Sequence, residues 1–154
     1  MTKRVNKLVF GAVLEVLVDV RFAYMQYIAR HALYGDAVFV GSKLYNEKAI
    51  IKSDLFLEGY FTFYPVKAAV KHKLISVVGH LPSASLPKRF RRPGAIVGRQ
   101  VKTWIIDDDD GGLTVKSSLS EDDLRLPIAS IWNHEYLVHR LAENWDPLQE
   151  GRTA

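Results

Sequence analysis

The sequence predicts an α+β protein, with a predominantly antiparallel, curled β-sheet or partial barrel covered by a C-terminal helix. Three observations carry this. Residues 9 to 31 alternate in hydrophobicity and are rich in β-branched and aromatic side chains, as a half-buried strand requires. Strand-like runs recur up to about residue 116. The one long helical stripe comes last, and strands followed by a helix favour α+β over alternating α/β.

In the opening run Leu14, Val16, Val18, Val20, Phe22 and Tyr24 share one parity, and Glu15, Asp19 and Arg21 share the other. Asp19 and Arg21 mark a tight turn, giving a hairpin with strands over about 10–18 and 22–30. Tyr34-Gly35-Asp36 reads as the next turn and 37–41 as a short strand, while Ile50 and Ile51 suggest another short pairing. Tyr60, Phe61, Phe63 and Tyr64 define a strand over 59–64 that Pro65 ends. VKAAVKHK suits a short helical turn with Lys67, Lys71 and His72 outward, and a strand follows over 74–80. Residues 81–94 hold three prolines and form the longest loop. Strands over 100–106 and 112–116 flank an acidic, glycine-ended turn. Ser120 before Glu121, Asp122 and Asp123 starts a helix that Pro127 interrupts. A second helix over 131–144 places Leu137, Val138, Leu141 and Trp145 on one stripe.

A chain of 154 residues suits a single domain, with an ordered core over 9–147 and a frayed tail over 148–154. Without cysteine there is neither a disulfide nor a thiolate metal site, which fits a reducing cytoplasm. The basic start mimics a signal peptide, but Glu15 and Asp19 interrupt the apolar stretch. No run reaches the roughly 18 apolar residues of a membrane-spanning helix, so no membrane partner is expected. Charge is uneven: residues 1–106 carry 17 Lys and Arg against 6 Asp and Glu, and 107–154 carry 4 against 11. This asymmetry suits either steering of a partner or an acidic helix folded against a basic sheet.

Four groups of residues offer chemistry. His134, Glu135 and His139 resemble part of a zinc-protease helix, but the histidines are five residues apart and diverge by roughly 140° at about 100° per residue. Glu135 and His139 share a helix face, either as a base or as a surface ion pair. His31, His72 and His80 stand singly. Asp107, Asp108, Asp109 and Asp110, followed by two glycines, suit a solvated hairpin turn, with weak magnesium or calcium binding as the alternative. Lys88, Arg89, Phe90, Arg91 and Arg92 join four cations and an aromatic in one loop, the candidate partner-binding surface. A nucleic-acid contact through that loop is a lesser expectation.

The order of GAVLEVLVDVRFAYMQYIARHALYG, YFTFYPVKAAVKHKLISVVGHLP, and VKTWIIDDDDGG through LPIASIWNHEYLVHRLAENWDP resembles the bacterial immunity 26 / phosphotriesterase HocA family over about residues 9–147. The resemblance implies a small antidote that binds and neutralises a bacterial protein toxin, needing no cofactor. Its alternative implication is a divalent-metal-dependent phosphotriesterase acting on organophosphate esters. Val20 stands where the family's first hairpin turn is expected to carry glycine. An edge strand left open would also allow a homodimer.

Overall fold

A computed structural model describes residues 7–108 and 110–150. The elements run in order β1 (Ala12–Val18), β2 (Arg21–His31), β3 (Gly35–Gly41), β4 (Gly59–Phe63), α1 (Val66–Lys71) and β5 (Ile75–His80). They continue with β6 (Phe90–Pro93), β7 (Ile96–Val97), β8 (Gln100–Val101), β9 (Trp104–Asp107) and β10 (Leu113–Lys116). The helices α2 (Glu121–Leu124) and α3 (His134–Ala142) close the order, with single 3-10 turns at Ser53–Phe56 and Pro147–Gln149. The fold is α+β with antiparallel strand pairing, the sheets are not closed into a barrel, and the longest helix is C-terminal. No helix among the described residues is long and apolar enough to cross a membrane.

The chain divides into two compact units, Met1–Leu86 with Ile131–Trp145, and Pro87–Ser130 with Asp146–Ala154. The first holds a five-stranded sheet in the order β4-β3-β2-β1-β5. Its central hairpin pairs Val18 with Arg21 across a two-residue turn in which Asp19 takes φ 56°, the conformation glycine would adopt most easily. This pairing corrects the parity expected from sequence. Partners across it sum to an odd number, so Tyr24 lies opposite Glu15 and not on the face of Leu14, Val16 and Val18, while Val20 is exposed at the turn. Leu14, Val16 and Val18 are buried on one face. On the other, Val13, Tyr24 and Leu55 form a core with Phe22, Tyr45 and Ile51 packed against it. Ile50 and Ile51 lie outside any strand, and it is Tyr45 that bridges to Phe22. Gly35 and Asp36 open β3 instead of sitting in the turn. Gly59 is required at the start of β4, since a β-carbon there would lie 2.0 Å from the Val40 carbonyl oxygen.

The helix α3 begins at Asn133, whose side chain accepts from the Tyr136 amide, and packs against β1 with Leu137 and Leu141 buried. The Trp145 ring closes this unit's aromatic cluster with Tyr60 and Trp132, at centroid distances of 5.1 Å to each. Asn144 ends the helix in the left-handed region, φ 56°. The helix α1 ends in the same way, with Leu74 N donating to Ala69 O and Lys73 N to Val70 O, but the left-handed residue is Lys73, φ 60°. Lysine there costs about 1 kcal/mol relative to glycine.

The second unit holds a three-stranded sheet, β10-β9-β6, and the β7-β8 ribbon. The loop expected over 81–94 therefore contains a strand, because Phe90 and Arg91 are buried and their backbone pairs with β9. The strand expected over 100–106 is broken at Lys102 and Thr103. The short helix α2 starts as the sequence predicts: Ser120 Oγ accepts from Asp123 N, and the Asp123 carboxylate accepts from Ser120 N. Residues expected to fray after Pro147 are folded through Gln149, with Asp146 capping Leu148 N, whereas 151–154 lie outside the described residues.

Candidate interaction surface

The two charged runs that the sequence presents separately, 88–92 and 107–110, come together as neighbours in the second unit. In β6 against β9, Phe90 lies opposite Asp107 and Arg92 opposite Ile105. Arg92 Nε donates to Asp107 Oδ2 at 2.6 Å, and Arg89 Nε donates to Asp108 Oδ1 at 2.7 Å. The charges of Asp107 and Asp108 are thus each met by an arginine. Asp110 accepts from the Gly112 amide, and Asp109 lies outside the described residues.

The strand period decides what the basic run presents. Alternate residues point to opposite faces, so Arg91 lies on one side of the sheet and Phe90 and Arg92 on the other, where Phe90 is covered and Arg92 is half-buried. Arg91 is fully buried: Nη2 donates to the carbonyl oxygens of Pro147 at 2.7 Å, Glu150 at 2.9 Å and Leu124 at 3.4 Å. Burial lowers its pKa to about 10, opposed by the charges of Glu150 and Asp123, so it stays protonated at neutral pH. Phe90 is 4 % exposed. The expectation that Phe90 and Arg91 contact a partner is therefore corrected: both belong to the scaffold, and only Lys88, Arg89 and Arg92 of the run reach solvent.

The outer face is apolar at its centre. Val115 lies opposite Ile105, which lies opposite Arg92, and Leu113 lies opposite Asp107, so these residues share one side of the sheet. Leu113 and Val115 are 57 % and 59 % exposed on β10, an edge strand that pairs on its outer side with no other strand among the described residues. The ion pairs of Arg92 with Asp107 and Arg89 with Asp108 border them. Sequence reasoning missed Leu113 and Val115. Their signal was the alternation in LTVK, which reads equally as an ordinary half-buried strand until its pairing is known.

The histidine group of the first unit is not assembled as expected. His139 Nε2 pairs with Glu143 Oε1 at 2.9 Å, one turn further on, and not with Glu135. His134 turns instead to Tyr64, with Nδ1 and the hydroxyl 2.8 Å apart. Burial lowers the His134 pKa, opposed by the charge of Glu135, and burial pushes Tyr64 up to about 12. Which of the two donates across this hydrogen bond is set by the imidazole tautomer. Among the described residues, no three His, Asp or Glu side chains come together as a ligand set for a metal ion. No family model, curated protein or solved structure matches this chain.

Proposed function

We propose that this protein is an immunity-type binding module that neutralises a bacterial protein toxin through the outer face of β6, β9 and β10. The observation that carries this reading is the pair Leu113 and Val115, exposed on an open edge strand and bordered by the Arg92–Asp107 and Arg89–Asp108 ion pairs. An apolar centre within a charged rim is the anatomy of a protein interface. The open backbone of β10 adds directional hydrogen bonding for a partner strand. Lys88, Arg89 and Arg92 keep a rim role, which governs encounter more than final affinity. The family resemblance of the sequence is compatible with this function, the hydrolase being its other implication.

The test is co-expression of this chain with the toxins encoded in its own genome, scored by growth. Rescue from one toxin is expected, lost in Leu113→Glu with Val115→Glu while circular dichroism stays unchanged. Rescue from none defeats the neutralising function, and undiminished rescue by the double variant defeats the surface. Metal-replete protein that hydrolyses a chromogenic phosphotriester, with activity lost in His134→Ala, would transfer the assignment to the hydrolase alternative.

A further inference from the structure

The helix α1 and its end, in the first unit, carry the exposed residues Lys67, Lys71, His72 and Lys73. None of the three lysines forms an ion pair or a side-chain hydrogen bond among the described residues. Elsewhere in this unit Lys48 meets Glu15, Lys52 meets Asp54, Arg30 meets Asp36, and Lys43 lies over the Tyr45 ring. Two features make this arrangement costly to the fold. Lys67 and Lys71 stand one helical turn apart, where like charges repel. Lys73 occupies the left-handed position ending the helix, which favours glycine, and which in α3 is filled by the more tolerant Asn144. Local strain and uncompensated repulsion at one exposed arc point from fold to binding.

We propose that the arc from Lys67 to Leu74 is a docking surface for an acidic protein segment. Three uncompensated ammonium groups supply attraction at a distance, and Leu74, 45 % exposed at the end of the arc, supplies an apolar contact. The arc carries no Phe, Tyr or Trp ring on which a base could stack, its one ring being the His72 imidazole, and no arginine fork for a phosphate. These absences favour carboxylates over nucleic acid. The arc belongs to the first unit and the β10 face to the second, and its test does not depend on the toxin-neutralising reading.

The probe is a short poly-L-glutamate peptide titrated into isotopically labelled protein and followed by backbone amide shifts. Shifts centred on residues 67–74 are expected, weakening steeply with added salt. Lys67→Gln with Lys71→Gln and Lys73→Gln should lose roughly tenfold or more in affinity, the scale of electrostatic steering. Lys73→Gly separates binding from folding: it should raise the melting temperature while weakening the peptide. Shifts centred on Lys43, Lys48 and Lys52 or on 88–92, or unchanged affinity in the triple variant, would overturn the assignment. Tighter binding of duplex DNA or of anionic vesicles at 67–74 would overturn the choice of a protein partner.

Discussion

The Arg91 guanidinium lies over the Trp104 ring, its central carbon 4.4 Å from the ring centroid. Both residues are buried, and the same guanidinium holds three backbone carbonyls from 124, 147 and 150. A cation read from sequence as a recognition group is thus the element that ties β6 to the segments following β10. Its replacement by alanine should destabilise the second unit by about 3 kcal/mol, since charged hydrogen bonds, a cation–π contact and side-chain volume are lost together. Arg91→Lys should recover only part of this, because a single ammonium cannot reproduce the planar contact with Trp104. Urea denaturation followed by Trp fluorescence measures both.

Arg92, one residue on, should behave differently. Its side chain and that of Asp107 are both partly open to water, so Arg92→Ala should cost only about 0–1 kcal/mol. A loss as large as that of Arg91→Ala in the same denaturation series would contradict the assignment of inward and outward faces.

Asp123 caps α2 and accepts from Lys116 Nζ at 2.7 Å. The hydrogen bond from Lys116 is the main cause holding its carboxyl below the ordinary value of 3.8, with burial opposing and Ser120 assisting. A depressed folded value means stabilisation that is complete above the ordinary carboxylate range and is lost as pH falls through the folded pKa. Asp123→Asn should therefore cost about 1–2 kcal/mol at pH 7. Thermal melts of both proteins should converge in acid.

The imidazole of His134 adds a dependence of the same sign at higher pH. Burial lowers its pKa below the ordinary 6.5, so the unfolded chain takes up its proton first as pH falls. Stability from this group is complete above 6.5 and declines as pH drops from there through the folded value, levelling off below it. Proton NMR titration should place the His134 midpoint below the ordinary 6.5, and His134→Gln should flatten the slope of stability over the same interval.

The sequence by itself determined the local structure. Alternation located the first hairpin, apolar and aromatic runs located β3 to β5, Pro65 ended β4, Ser120 and Asp123 announced a capped helix, and the stripe of Leu137 and Leu141 placed α3. These signals act over a few residues, where backbone preference and side-chain period are sufficient. Tertiary structure decided what required a partner strand. Whether Phe90 and Arg91 face water or the interior depends on the register of β6 against β9, which no local signal in 81–94 encodes. The meeting of Arg92 with Asp107 and of Arg89 with Asp108 likewise joins residues 15 and 19 positions apart. The choice of His139 between Glu135 and Glu143 was also open, since both lie one helical turn away and only side-chain packing selects between them. The exposure of Leu113 and Val115 was likewise hidden, because an apolar alternation shows that a strand has a face but not what covers it.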